Sequence, residues 1–172
     1  MIARQIVRNA AATVVCLIPA LCIAQSPGGL DQKAHSEALE ILVSLIKINT
    51  SNPPGNESQA AAYIKSILDK EGIPSETFES APGRGNLVAR LKGNGSKKPL
   101  LLMGHLDVVG VVRDKWTVDP FAAVMKNGYL YGRGSEDDKA MDAANLLVFL
   151  KLHRDKIPLD RDVILLAEAG EK

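Results

Sequence analysis

The chain has 172 residues, of which 46% are hydrophobic and 24% are charged, and its formal net charge is +1. This length and composition are typical of one modest globular domain. The small net charge and the aromatic content of 4% disfavour a basic nucleic-acid surface or a stacking platform for single strands. We therefore expect no nucleic-acid partner.

The N-terminus has the pattern of a secretory signal peptide. Arg4 and Arg8 give it a positive start, and the apolar run of residues 10–21 is too short to span a bilayer comfortably. Small residues at Cys22 and Ala24 suit a signal peptidase, which predicts a signal over residues 1–24 and a secreted or periplasmic protein. An uncleaved membrane anchor is the alternative. After cleavage we expect no stable membrane association.

The cysteine positions limit the ligands available to a metal. The chain has two cysteines, Cys16 and Cys22, and both lie within the predicted signal peptide. Cleavage after Ala24 leaves a mature chain without thiols, which excludes disulfides and thiolate ligands. Any metal site must then use histidine and carboxylate side chains.

The first half of the mature chain is predicted to be helical. Residues 25–34, which include Pro27-Gly28-Gly29, indicate a flexible mature N-terminus, and residues 35–172 form the folded unit. Apolar residues at helical spacing predict helices near residues 31–48 and 57–71. The turn-forming residues 49–56 separate the two helices.

The second half alternates short apolar runs with a helix. Strands are predicted at residues 86–91, 129–131 and 163–167, and a strand buried on both faces at residues 100–103. Residues 140–152 have helical periodicity. Alternating strands and helices predict an α/β sheet with helices on its faces.

The first candidate site follows the predicted strand at residues 100–103. His105 and Asp107 are two apart, a spacing that places side chains on one face of a strand. Ligands of open α/β sheets gather beyond the carboxyl ends of strands, so His105 is a candidate metal ligand and Asp107 a carboxylate that orients the site. The alternative is a solvated, hydrogen-bonded pair without function.

The second candidate site is the acidic run Glu136-Asp137-Asp138 after Gly132-Arg133-Gly134. A carboxylate here can bridge two metal ions, because two-metal hydrolases hold their ions about 3.5–4 Å apart. The alternative is an acidic first turn that complements the helix dipole. The glycines lack the lysine spacing of a phosphate-binding loop.

The third candidate is Glu171, which follows the last predicted strand. A carboxylate at this position is a candidate general base for a metal-activated water. The alternative is an exposed terminal charge.

Taken in this order, the motifs resemble a family of zinc peptidases and deacylases that includes acetylornithine deacetylase, succinyl-diaminopimelate desuccinylase, aminoacylase and glutamate carboxypeptidase. The matching segments are LLLMGHLDVV at 100–109, WTVDPF at 116–121, GYLYGRGSEDDK at 128–139 and LAEAGE at 166–171.

The resemblance implies a two-zinc catalytic domain with a mixed, mainly parallel sheet and helices on both faces. It implies that His105 is a metal ligand, that Asp137 bridges both zinc ions, that Asp107 supports the catalytic carboxylate and that Glu171 is the general base. Co²⁺ or Mn²⁺ are expected substitutes for Zn²⁺. The implied reaction is hydrolysis of a peptide or N-acyl amino acid by a carboxypeptidase, dipeptidase or deacylase.

The sequence departs from the family pattern at Lys172. The family motif has a metal-ligand glutamate directly after the base, and family members continue with an inserted lid and dimerisation domain. We therefore expect residues 35–172 to be the N-terminal part of a truncated catalytic domain, inactive alone, with a homodimer only if the missing domain is present. His35 and His153 lie on other helix segments and do not complete the site. A noncatalytic binding or scaffolding protein with a decayed site is the alternative.

Overall fold

The computed structural model describes residues 32–170. The predicted signal peptide, Glu171 and Lys172 lie outside this range. The described helices are α1 (Gln32–Lys47), α2 (Glu57–Lys70), α3 (Lys139–Arg154) and a short 3-10 helix (Arg113–Lys115). The described strands are β1 (Ser51–Asn52), β2 (Ser75–Glu79), β3 (Gly85–Leu91), β4 (Leu100–His105), β5 (Val108–Val109), β6 (Val124–Lys126), β7 (Tyr129–Tyr131) and β8 (Val163–Glu168). Within residues 32–170, no helix is both long and apolar enough to cross a membrane.

The three helices occupy the positions expected from the apolar spacing. Helix α1 begins at Gln32, so three residues of the segment predicted to be flexible, 32–34, are helical. Helix α2 is followed by Gly72, whose φ of 69° is the left-handed conformation that commonly ends a helix. Helix α3 continues two residues beyond the predicted end.

Four strands form the main sheet in the order β2-β3-β8-β4. Strands β2 and β3 are antiparallel, β3 and β8 are antiparallel, and β8 and β4 are parallel. The mixed α/β class is confirmed. In the described sheet, one of the three neighbouring pairs is parallel.

One face of this sheet carries the hydrophobic core. Leu87, Val163 and Leu165 are buried there against α2 and α3, and α1 packs onto α3. The opposite face is open in the described part of the chain, where Leu101 is 50% exposed and Met103 is 49% exposed. The prediction that the strand at residues 100–103 is buried on both faces is therefore wrong. The reason is the two-residue alternation of a strand: β4 turns Leu102 to the core and its neighbours away.

Several short strands were not predicted. Strand β1 pairs in parallel with β5, and the hydroxyl of Thr50 donates to the carbonyl of Leu106 at 2.6 Å. This pairing folds the 49–56 loop over the end of β4. A second pair, β6 and β7, is a hairpin whose turn contains Asn127-Gly128, both at positive φ. The first pair brings a turn-rich loop to the candidate site.

A cluster of charged side chains joins the three helices far from the sheet edge that carries His105. Arg154 at the end of α3 donates to both carboxylate oxygens of Glu37 at 2.8 Å and to Glu71 at 2.6 Å. These hydrogen bonds raise the pKa of Arg154 and lower the pKa of both carboxyls. One guanidinium therefore connects the start of α1, the end of α2 and the end of α3.

Replacing Arg154 by methionine is expected to lower the free energy of unfolding by about 1–2 kcal/mol, because a bidentate, charge-assisted contact is lost at a partly exposed position. Urea unfolding followed by circular dichroism measures this change. Arg161→Met is the matched control, since Arg161 is equally exposed but, among the described residues, pairs with its sequence neighbour Asp160 and connects no helices. Equal effects of the two substitutions would contradict the interhelical role of Arg154.

Candidate metal and catalytic site

The carboxyl end of β4 places His105 and Asp107 beside the end of β8. His105 is aligned with Glu168 in the parallel pairing, and Leu106 N donates to Glu168 O at 2.8 Å. Both predicted residues are buried: His105 is 9% exposed and Asp107 is fully buried. The strand-end position predicted from the sequence is confirmed by this placement.

The two ring nitrogens of His105 have different partners. Nδ1 lies 3.0 Å from the backbone oxygen of Asp107 and 3.3 Å from its Oδ1. A carbonyl oxygen only accepts hydrogen bonds, so Nδ1 carries the proton. Nε2 lies 3.0 Å from Asp137 Oδ1. The ring therefore offers Nε2 on the side of the second predicted ligand.

Asp137 reaches His105 from the loop between β7 and α3. Gly134 has a φ of 83°, and a Cβ there would lie 2.8 Å from a methyl group of Val108, so glycine allows the loop to lie close to β5. The side chain of Asp137 is 64% exposed, which leaves it accessible from solvent. Arg133 of the same loop lies over the Trp116 ring, with its Cζ 5.4 Å from the ring centroid.

Asp107 has polar partners that the sequence did not identify. Asn52 Nδ2 donates to Asp107 Oδ2 at 3.4 Å, and an Arg84 terminal nitrogen lies 3.9 Å from the same oxygen. Arg84 also contacts the buried carboxylate of Glu57. These residues come from three separate segments, and none of them lies in a motif, so no sequence signal connected them to the site.

Lys139, directly after the acidic run, is fully buried. Its Nζ donates to Leu45 O at 2.8 Å and to Ile48 O at 2.7 Å, two carbonyls at the end of α1. Burial lowers the pKa of Lys139 to about 8. The lysine thus attaches the start of α3 and the Asp137 loop to α1.

Asp142 is a buried carboxyl that the sequence analysis did not single out. It is 3% exposed, and its Oδ2 has no hydrogen-bond partner among the described residues. Burial, together with the charge of Asp138, raises the pKa of Asp142 to about 7, while His105 acts in the opposite direction. Gly104 makes room for it, since a Cβ there would lie 2.5 Å from Asp142 Oδ1. Asp142 is a polar residue on the core-facing side of α3, and that position is the sequence signal that could have identified it.

The predicted base, Glu171, lies outside the described residues. The segment that leads to it is held in place: Asn86 Oδ1 accepts a hydrogen bond from Ala169 N at 2.8 Å. Among residues 32–170, no group of three or more histidine, cysteine, aspartate or glutamate side chains is arranged to hold a metal ion. The described residues bring two predicted ligands, His105 and Asp137, together with Asp107.

The donor chemistry of this pair fits a divalent metal. An imidazole nitrogen and a carboxylate oxygen face each other at 3.0 Å, and the imidazole's second nitrogen is held by a backbone oxygen, the arrangement that orients metal-binding histidines. A third ligand is not found within the described part of the chain. The described residues therefore fit part of a metal site.

Comparison with known proteins supports the resemblance read from the motifs. Residues 101–172 match the model of Peptidase family M20/M25/M40. A probable succinyl-diaminopimelate desuccinylase of Staphylococcus aureus is 36% identical over 141 residues, which are 81% of this chain and 34% of that protein. An N-formyl-4-amino-5-aminomethyl-2-methylpyrimidine deformylase of Halalkalibacterium halodurans is 34% identical over 144 residues, again 81% of this chain and 34% of that protein.

A solved structure shows the same fold. The M20 family metallo-carboxypeptidase Sso-CP2 of Sulfolobus solfataricus aligns with a TM-score of 0.67 and 29% identity, covering 77% of this chain and 30% of that one. The chain thus spans about a third of the length of the relatives it matches. The resemblance to the peptidase and deacylase family, predicted from the motifs, is confirmed.

Proposed function

We propose that this chain is part of a zinc-dependent hydrolase of Peptidase family M20/M25/M40, one that cleaves an amide or peptide bond. The observation that carries the proposal is the position of His105 Nε2, 3.0 Å from Asp137 Oδ1, with Nδ1 held by Asp107. The family match over residues 101–172 includes all three residues.

Zinc is the proposed metal because the available donors are imidazole and carboxylate, both of which it binds well. Co²⁺ or Mn²⁺ are proposed substitutes. A metal held by His105 and Asp137 would supply Lewis-acid chemistry, lowering the pKa of a water and polarising a carbonyl. Asp137 is proposed to bridge two ions.

The chain's own residues have separate proposed roles. The backbone oxygen of Asp107 accepts a hydrogen bond from His105 Nδ1, so Nε2 is the ring nitrogen that would bind a metal. Glu171 is proposed as the general base that removes a proton from water and returns it to the leaving amine. Its position in the chain supports this role, because it closely follows Ala169, which Asn86 holds beside the site.

The proposed substrates are peptides or N-acyl amino acids. The names of the relatives support an amide-cleaving reaction: one is a desuccinylase, one a deformylase and one a metallo-carboxypeptidase. A carboxypeptidase or dipeptidase and an N-acyl amino acid deacylase are both compatible with the residues described. With the predicted signal over residues 1–24, a secreted or periplasmic location completes the proposal.

The 172-residue chain alone is proposed to bind zinc weakly and to have negligible hydrolytic activity. The support is the ligand count: a catalytic zinc uses about three protein ligands, and the described residues bring two together. The relatives have about three times this length.

Zinc titration of the purified chain, together with turnover assays on dipeptides and N-acyl amino acids, tests both parts of the proposal. We expect weak zinc binding at His105 and no turnover above background. Robust turnover by the 172-residue chain would overturn the proposed inactivity. Complete absence of zinc binding at His105 would favour the alternative, a noncatalytic binding or scaffolding protein on the same fold.

A further inference from the structure

Two loops lie side by side at the end of the main sheet that is opposite the candidate site. Residues 92–99 connect β3 to β4, and residues 155–162 connect α3 to β8. The loops are hydrogen bonded to each other, since Lys97 N donates to Asp160 O at 3.0 Å. Strands β4 and β8 are parallel and each has six residues, so this end of the sheet lies about 20 Å from the candidate site.

Charge is distributed unevenly between this end and the rest of the chain. Residues 90–100 and 151–162, which we call the basic end, contain eight lysines and arginines and three aspartates. Their surplus of five positive charges exceeds the net charge of +1 for the whole chain, so the remaining residues together have a net charge of −4. The small net charge therefore conceals a positive end and a negative remainder.

The nearby carboxylates do not cancel the charge of the basic end. Asp160 and Asp162 each contact two basic side chains. The four partners are Lys97, Arg161, Arg90 and Lys92. Lys98 and Lys156 are exposed, and neither has an ion-pair partner within residues 32–170. When the two glutamates that contact Arg154 are included, a surplus of three positive charges remains.

Apolar side chains are exposed beside these lysines. A depression of about 290 Å³ between the two loops is lined by Lys92, His153, Lys156 and Ile157, among others. Ile157 is 46% exposed, and Leu100 at the start of β4 is 45% exposed. Lysines pair with lipid phosphates, and apolar side chains gain free energy when they leave water for the layer below the phosphates. The basic end therefore has the chemistry that an anionic lipid surface requires.

We propose that the basic end is a docking surface for an anionic phospholipid membrane, with Lys92, Lys98 and Lys156 against lipid phosphates and Ile157 in the headgroup layer. Charge complementarity carries the proposal. The attachment is reversible and weakened by salt, so it differs from stable anchoring. A chain docked in this way holds the carboxyl end of β4 away from the membrane, where the candidate site is open to solution. The inference does not rest on the proposed hydrolytic function.

Nucleic acid is the other polyanion that a basic surface can bind. The basic end has no phenylalanine, tyrosine or tryptophan on which bases could stack. Its exposed aliphatic side chains, Leu100 and Ile157, gain little from a sugar-phosphate backbone. These two features favour the membrane, and binding to duplex DNA is an outcome that the experiment must distinguish.

Cosedimentation with vesicles tests the proposal on residues 25–172, the predicted mature form, which retains every described residue. One set of vesicles is phosphatidylcholine alone, and the other contains about one third phosphatidylglycerol. We expect at least about tenfold tighter binding to the anionic vesicles at about 0.1 M salt. At about 1 M salt the Debye length falls to about 3 Å, and this preference is expected to disappear.

The triple variant Lys92→Gln/Lys98→Gln/Lys156→Gln is expected to bind anionic vesicles roughly 100-fold more weakly, because each lysine near an anionic surface contributes about fivefold. Ile157→Asn is expected to weaken this binding about fivefold, since its half-exposed side chain no longer leaves water. Val112→Asn is the matched control for Ile157, because Val112 is 59% exposed and lies outside the basic end. Circular dichroism checks that each variant is folded.

A second triple variant controls for net charge by removing three exposed lysines outside the basic end. Its substitutions are Lys47→Gln, Lys115→Gln and Lys126→Gln. Its affinity for anionic vesicles is expected to stay within about twofold of wild type, because these positions lie away from the docked surface. Equal losses in the two triple variants, or equal wild-type binding to neutral and anionic vesicles, would overturn the proposal. Binding to duplex DNA without binding to vesicles would assign the basic end to nucleic acid and overturn it too.

Discussion

His105→Gln is expected to abolish detectable zinc binding by this chain. The imidazole Nε2 is one of two ligand atoms that the described residues bring together, and glutamine has no nitrogen with a free lone pair to replace it. Since the site already lacks a third ligand in the described part of the chain, the loss should exceed about 100-fold in affinity. Isothermal titration with zinc measures this change.

The control for this experiment is His153→Gln. His153 lies in the last turn of α3, at the opposite end of the helix from the Asp137 loop. Its replacement is expected to leave zinc affinity within twofold of wild type. If His153→Gln weakens binding as much as His105→Gln, zinc binds nonspecifically to exposed histidines and the predicted site is wrong.

Asp142→Asn is expected to stabilise the chain at neutral and alkaline pH. Burial raises the pKa of Asp142 to about 7 in the folded chain, whereas an unfolded aspartate has a pKa of about 3.9. Between these values the unfolded state releases the proton and the folded state keeps it, so stability falls as pH rises from about 4 to about 7. Asparagine does not ionise and avoids this loss.

The expected gain in the free energy of unfolding of Asp142→Asn over wild type is close to zero at pH 4 and reaches up to about 4 kcal/mol at pH 8. Urea unfolding of the metal-free chain at several pH values, with chelator present, measures it. Asp155→Asn is the matched control, because Asp155 is an exposed aspartate just after α3. A difference between wild type and Asp142→Asn that does not change with pH would show that folding does not raise the pKa of Asp142.

The parts of the fold that follow from local pattern were predictable. The three helices were located from apolar spacing, and β3, β7 and β8 from short apolar runs. The open face of the sheet was not predictable, because Leu100–Met103 is a continuous apolar run that gives no alternation from which to choose a buried side. Strand β2 was missed because its residues are mostly exposed and polar.

In the candidate site, too, the residues that lie in local motifs were predictable and those that depend on contacts between distant segments were not. His105 and Asp137 were identified because they lie in motifs at element ends, and the structure places their ligand atoms 3.0 Å apart. Arg84, Asn52 and Asp142 were not identified, since their roles depend on contacts between segments distant in sequence. Only the folded chain shows that a surface-type residue such as Arg84 lies against two buried carboxylates.

The buried amine of Lys139 makes the first helix part of the site's framework. Its acceptors, Leu45 O and Ile48 O, belong to the end of α1, more than ninety positions earlier in the chain. Proteolytic removal of the chain through Ile48 would leave this ammonium without these acceptors, next to the loop that carries Asp137. Trimming before Gln32 keeps every one of these bonds. Cleavage after Ala24, as predicted, is therefore compatible with both hydrogen bonds of Lys139.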